Sequence, residues 1–371
     1  MSQTDSQLSQ QQAHPRFHGG SPTSLELPIS QIDAFTREVF GGNPAAVVHL
    51  PHWLSDASLQ AIAAENNLSE TAYLVGEIPG DAPTPPSDSP AHHLRWFTPT
   101  VEIDLCGHAT LASAAQLFLA HDESAGPLER LEFWTRSGWL TVTLSPTGAG
   151  TEDSGAGDSG DESAPAGTTG SPGLLTLDFP ADPPSLYDDP ATPPGGSGLP
   201  DAATVGKALG IDPGHIVELG EGSSALFCVV DSPALVRDMA PDFAAVAAIH
   251  GHGIIVTADA AGGTADGASA EASDDAAGGT ADGSAGDFAG YDVVSRFFAP
   301  AIGIDEDPVT GSAHTVLGPY WMGRLGRDRL ACHQASARGG ELILDAAGER
   351  ILISGHAVRY LTGTITAPRE R

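Results

Sequence analysis

Three short polar clusters interrupt otherwise apolar stretches of this chain, and each carries residue types suited to moving a proton. The first is SETAYLV at Ser69–Val75, where Glu70 heads a run of β-branched and aromatic residues. A glutamate at a strand start is ordinarily a solvated edge charge. Partly desolvated, its pKa climbs from about 4.3 toward about 6–7, and the carboxyl becomes a general acid or base near neutral pH. The second cluster is Asp104-Leu105-Cys106-Gly107-His108-Ala109-Thr110. Gly107 permits a tight turn, and His108 at a helix start faces amide dipoles that disfavour its protonated form, so a neutral imidazole can donate one hydrogen bond and accept another. A structural histidine with its hydrogen bonds satisfied is the alternative. Cys106 reads as a small buried residue rather than a nucleophile, because no basic neighbour in sequence lowers its pKa. The third cluster runs from Asp305 to His314, DEDPVTGSAH. Acids, Pro, Thr, Gly and Ser ahead of an apolar run make a helix start whose free backbone N–H groups suit a carboxylate ligand, while capping by Asp307 or Thr310 accounts for the same residues without one. The segment is neither a GxSxG elbow nor a P-loop, so a serine hydrolase and a nucleotide-binding loop are both unsupported.

The elements that must hold these clusters occur twice. RWFTPTVEIDL at Arg95–Leu105 recurs as RFFAPAIGIDE at Arg296–Glu306, an offset of 201 residues from Arg95 to Arg296. Beyond it the first copy continues Cys106-Gly107-His108-Ala109, and the second, after three extra residues, Thr310-Gly311-Ser312-Ala313. A period this long indicates two related domains rather than a solenoid, and paired domains commonly hold a ligand between them. Ser55 or Asp56 caps a helix ended by Asn66-Asn67, and helices are also expected over Ala109–Ala120 and Ala313–Met322. Many short strands with one or two helices per half predict an α+β fold in which each sheet curls round a helix; a doubly wound parallel sheet would need more helices.

Length and composition agree with two domains of ordinary size in 371 residues. The expected division is a disordered polar tail over 1–27, an N-terminal domain over 28–185 with an acidic insert at about 147–172, and a C-terminal domain over 200–368 with an acidic repeat insert at about 258–289. The second insert repeats DAAGGTADG at Asp259–Gly267 and Asp275–Gly283. Both inserts read as flexible decoration of surface loops. They hold twelve of the 48 acids; the remaining 36 still outnumber the 16 basic residues of a chain with net charge −32. That surface repels nucleic acid and anionic lipid, and no apolar run reaches the length of a membrane span. Three cysteines without a CxxC pair argue against a disulfide framework or a structural zinc site and for a reducing cytosol. The tail lacks the apolar core of a secretory signal.

Taken together the clusters resemble the PhzF-like family of phenazine-biosynthesis isomerases, within the wider diaminopimelate epimerase-like fold. The resemblance rests on DAF at Asp33–Phe35, GGNPAAVV at Gly41–Val48, SETAYL at Ser69–Leu74, RWFTP with LCGHAT at Leu105–Thr110, and RFFAP with EDPVTGSAH at Glu306–His314. It spans most of Leu27 to about Thr366, excluding the inserts. What it implies is a pair of curled, largely antiparallel sheets round central helices, with an active site in the cleft between them. The family's general acid/base glutamate falls on Glu70, its cleft histidine on His108 and its catalytic-site aspartate on Asp307. Substrate binding falls on Gly107, Gly311, Ser312 and Asn43, with the Gly311 and Ser312 backbone at the substrate carboxylate. The resemblance further implies an isomerase that shifts a proton on a small carboxylate without metal or organic cofactor, working as a homodimer.

Two rival readings follow. Racemases and epimerases of this fold place one cysteine in each half, before the Gly of each helix turn. Here the first position is Cys106 and its repeat partner is Thr310, so a thiol pair is missing. A binding protein that keeps the cleft without the chemistry would not need Glu70, His108 and Asp307 together. The chain departs from the family in its late QG…GR segment, which appears as Gln334-Ala335-Ser336-Ala337-Arg338-Gly339-Gly340. This places it in a broader branch and leaves its substrate open.

Overall fold

Two copies of one strand order, joined edge to edge, make up the computed structural model, which describes residues 24–145, 170–195, 198–249, 253–262 and 288–369. The first copy comprises β1 (Ser24–Ala34), β2 (Asn43–His49), α1 (Asp56–Asn66), β3 (Glu70–Val75), β4 (Ala91–Phe97), β5 (Glu102–Ile103), α2 (Gly107–Ala120), β6 (Arg130–Thr135), β7 (Gly138–Ser145) and β8 (Leu174–Pro180). The second begins with β9 (Ser185–Leu186), α3 (Ala202–Leu209), β10 (Ile216–Glu221), β11 (Leu226–Val230), α4 (Pro233–Asp238), α5 (Phe243–Ile249) and β12 (Ile254–Asp259). It continues with β13 (Val293–Ala299), β14 (Ile304–Asp307), α6 (Gly311–Leu325), β15 (Arg329–Gln334), β16 (Gly340–Ala347) and β17 (Arg350–Gly355), and β18 (Ala357–Pro368) follows.

Most neighbouring strands run antiparallel, and the parallel pairs fall where a helix makes the crossover. β2 and β3 are parallel across α1, and β4 and β6 across α2; β11 and β12 repeat this across α4 and α5, and β13 and β15 across α6. This is the α+β architecture expected from the sequence, with α2 and α6 as the central helices. Gly107 through Ala115 of α2 are all buried, and a helix apolar on every side must lie inside its sheet. The main core joins α2 and α6 through Leu111, Phe133, Leu177, Leu317, Leu344 and Ile353. Smaller cores form beneath α1 and around α3 to α5. Ser55 does cap α1, accepting from the Ser58 amide at 3.3 Å, and Asn67 ends the helix in the left-handed conformation at φ 49°.

Strand pairing corrects two boundaries drawn from the sequence. Ser24–Leu27, placed in a disordered tail, belong to β1, where Leu27 is fully buried and pairs with Ile365. β18, assigned to the second domain by its position, runs antiparallel along the whole of β1 and so completes the first sheet. Local sequence shows neither, because the two partner strands are separated by the rest of both halves. The halves also join where β8 pairs with β17. Most of the repetitive part of the second insert and nearly all of the first lie outside the described residues, although Asp259 ends β12 in regular structure.

The repeat is real, with a shifted register. Trp96 pairs with Ile103, and Phe297 with Asp307, so the three extra residues fall in the turn before β14 rather than after it. Arg95 and Arg296 each grip a glutamate bidentately, Glu102 at 2.6 and 2.7 Å and Glu306 at 2.7 and 2.9 Å. Glu102 therefore matches Glu306, and Asp307 matches Ile103.

Candidate active site

The described ends of β2, β3 and β14 meet the N-termini of α2 and α6 at one buried point. Glu70, the first residue of β3, is 5% exposed, so the solvated edge charge is not what the fold makes of it. Its Oε2 lies 2.9 Å from Nε2 of His108, which is 3% exposed on the first turn of α2. The pair sits at ion-pair distance without an aligned hydrogen bond, so both atoms lack a hydrogen-bond partner among the described residues. Asn43, at the start of β2, reaches across to the second half. Its Nδ2 donates to Asp307 Oδ1 at 2.7 Å and to the Val309 carbonyl at 2.9 Å, and lies 3.1 Å from His108 Nδ1.

Electrostatics divides the roles. Burial opposes protonation of His108, but its neighbours Cys106 and Glu70 outweigh it and raise the imidazole well above its ordinary value. Burial itself pushes the Cys106 thiol up to about 11, so Cys106 is neutral at neutral pH and Glu70 is the partner that favours the imidazolium. That direction is opposite to the neutral imidazole expected from the helix-start dipole. Asp307 is raised to about 6, by burial first and by the Glu70 charge, against the pull of His108 and of the Thr310 and Asn43 hydrogen bonds. Like-charge repulsion between the two carboxyls thus acts on Asp307.

Gly107 and Gly311 touch. A Cβ on Gly107 would stand 3.2 Å from the Gly311 Cα, and one on Gly311 would stand 3.3 Å from the Gly107 Cα. Glycine at both positions spares the two helix starts that crowding, and each start leaves its first amides without intrahelical partners. Ser312 is exposed one residue further on, its carbonyl accepting from Thr315 Oγ1 at 2.7 Å. All seven residues singled out in the sequence thus lie in or beside this cluster.

Others were missed or misread. Thr310 occupies the N-cap position of α6 but does not cap with its side chain; its hydroxyl donates to Asp307 Oδ2 at 2.5 Å. Gln334, at the end of β15 and 1% exposed, accepts from the Thr310 amide at 2.8 Å and donates to the Asp307 carbonyl at 2.7 Å. Arg338 donates to the Gly41 and Gly42 carbonyls, each at 2.7 Å, and to buried Asp33 at 3.0 Å, fixing the loop that leads into Asn43. Gln334 and Arg338 were visible only as parts of a late polar segment, because nothing local announces that Gln334 reaches Thr310 and Asp307 or that Arg338 crosses to the first half. Cys106 has a basic neighbour after all, His108 Nδ1 at 3.5 Å.

Two repeated halves with a glutamate, an imidazole and an aspartate gathered where their central helices begin define an α+β protein with a buried acid–base cluster between the halves. The chain belongs to the phenazine biosynthesis-like protein family, whose model matches residues 32–363. It is similar to an uncharacterized isomerase of Pseudomonas aeruginosa, 40% identical over 341 residues, covering 92% of this chain and 99% of that one. A human phenazine biosynthesis-like domain-containing protein is 33% identical over 352 residues, covering 92% of this chain and all of the other. Among solved structures, a PhzF-family protein of Enterococcus faecalis superposes with a TM-score of 0.65 at 35% identity, covering 92% and 99% of the two chains. No described helix is long and apolar enough to cross a membrane.

Proposed function

We propose that this chain is a cofactor-independent isomerase that shifts a proton within a small carboxylate bound in the cleft between its halves, with Glu70 as the general acid/base. The observation that carries this reading is the break in symmetry at Glu70. Tyr73 pairs with Arg95 and Val256 with Arg296, so three residues back along each strand Glu70 is matched by Gly253. The scaffold is doubled and the base is single. One carboxylate that removes a proton from carbon and returns it on the same face suits an isomerisation across a conjugated system, whereas inversion at one carbon calls for bases on both faces.

Each neighbour then has a task. Removing a carbon-bound proton leaves a delocalised anion, which needs donors placed where charge develops. The Gly311 and Ser312 amides hold the substrate carboxylate. His108 supplies an N–H beside the developing charge, and Asp307, poised near neutral pH, anchors Asn43. A neutral Cys106 facing Thr310, whose hydroxyl is bound to Asp307, weighs against a two-thiol racemase. The resemblance also supports a homodimer in the cytosol, checked by light scattering on the purified chain.

The test is solvent-deuterium exchange. A screen of small unsaturated carboxylates by thermal shift gives candidates, and each hit is incubated with the chain in D₂O. Deuterium should appear at carbon in at least one bound acid; binding with no exchange in any hit would leave a binding protein instead.

A further inference from the structure

Cys106, His108 and Glu70 form more than an acid–base group. One thiol sulfur, one imidazole nitrogen and one carboxylate oxygen from these three buried residues all lie within 4.8 Å of one another. We propose that the same three side chains constitute a site for a thiophilic divalent cation of the zinc type, whose binding switches the acid–base chemistry off.

Three observations carry this. The donor set is sulfur, nitrogen and oxygen, the mix that zinc accepts in tetrahedral sites, and three protein ligands leave a fourth position for water or a substrate oxygen. Ideal tetrahedral zinc places such donors about 3.4–3.6 Å apart, and the three donors, already within 4.8 Å of one another, would reach that spacing by rotating their side chains. Second, Glu70 Oε2 and His108 Nε2 are both buried without an aligned hydrogen-bond partner among the described residues, so the cluster holds polar atoms whose bonding capacity is unused. Third, the charges balance. The cluster gathers the carboxyls of Glu70 and Asp307 around one imidazole, and no Lys or Arg makes an ion pair with either carboxyl among the described residues. A divalent ion bound to a carboxylate, a thiolate and a neutral imidazole is locally neutral; the thiol proton, and any imidazolium proton, leave to solvent. This differs from the structural zinc site that the cysteine spacing argues against, since one cysteine suffices.

The occupied site has no free base. Glu70 bonded to the ion cannot take a proton from carbon, so the inhibitory part of the proposal rests on the isomerase reading above. The binding part does not.

Cobalt(II) is the probe. The full-length chain, reduced and free of chelator, is titrated anaerobically with Co²⁺. One equivalent should produce a thiolate-to-cobalt charge-transfer band in the near ultraviolet with intense four-coordinate bands in the visible, and Zn²⁺ should erase them. Cys106→Ser should lose the charge-transfer band, and Cys228→Ser, altered in the second core, should keep it. A folded wild-type chain without the band, or a band that survives in Cys106→Ser, overturns the site. Should Cys106→Ser misfold, X-ray absorption on the wild-type zinc adduct decides: one sulfur at about 2.3 Å beside nitrogen and oxygen supports the site, and a shell of nitrogen and oxygen alone refutes it. Deuterium exchange run with Zn²⁺, then with chelator added, reads the switch; exchange that is stopped and restored is expected, and exchange indifferent to a bound ion refutes the inhibitory role. A chain that never exchanges deuterium overturns the isomerase reading and leaves the spectra to judge the cation site.

Discussion

Asn43 and Asp307 are 264 residues apart in the chain and joined by a 2.7 Å hydrogen bond in the fold, one from each half. The same Asn43 nitrogen also meets the Val309 carbonyl and His108 Nδ1, three contacts for a group with two hydrogens. Asn43 therefore couples the two halves and the two acid–base residues through a single amide.

Replacing Asn43 by Ala leaves Asp307 short of a donor in a buried site. A hydrogen bond to a charged group is worth about 1.5–3 kcal/mol, so unfolding free energy should fall by about that amount in urea titration. Asn43→Asp should cost more, since it adds a carboxyl against Asp307. Unchanged stability in Asn43→Ala would show that the bridge contributes nothing.

Turnover should separate Glu70→Gln from Glu70→Asp. The amide keeps the shape and cannot carry a proton, so exchange should drop by about 10²–10⁴-fold while circular dichroism is unchanged. Aspartate keeps the chemistry at a shorter reach and should retain part of the rate. Equal activity in Glu70→Gln and wild type would remove Glu70 from the mechanism.

Asp307 makes stability depend on pH with a defined sign. Its folded pKa, about 6, lies above the ordinary value of 3.8, so between those values the folded chain holds a proton that the unfolded chain has released. Stability from this group is complete below about 3.8 and is lost as pH rises through about 6. The stability difference, wild type minus Asp307→Asn, should thus decline across that window by about 1–3 kcal/mol and then level off. A difference that grows with pH would contradict the assignment.

Gly107→Ala and Gly311→Ala each push a methyl group against the facing helix start. Alanine gains roughly 1 kcal/mol of helix propensity over glycine. Overpacking costs about 1–3 kcal/mol and should win, because the obstacle is backbone rather than a flexible side chain. The two effects should not add, since either change already parts the pair; strict additivity in a double-mutant cycle would show that the contact is not shared.

What the sequence revealed was whatever sits in consecutive residues. Glu70 with its strand, His108 after its glycine, and Asp307 ahead of its helix are strings in which residue type and local conformation agree, so their positions could be read directly. Gln334, Arg338 and the β1–β18 ladder are relations between distant segments, and no periodicity encodes them. The three-residue shift in the repeat escaped for a related reason. Arg, aromatic and Pro align well at the fixed offset of 201, and only the ladders showed that Glu102 matches Glu306 instead of Gly303. His108 shows where local reasoning misleads, because the Glu70 carboxylate beside it comes from another strand and is not announced by the helix start.

The pairing of β18 with β1 has a consequence for how the chain is made. A ribosome delivers β1 before, and β18 after, everything from β2 to β17, so the first sheet stays open along that edge until all of those elements have emerged. Closing it brings together segments of very large sequence separation, the kind of contact that slows folding and leaves a strand edge exposed meanwhile. The N-terminal half, although first out, is the last to be finished, and its nascent form depends on β1 finding no other strand before β18 arrives.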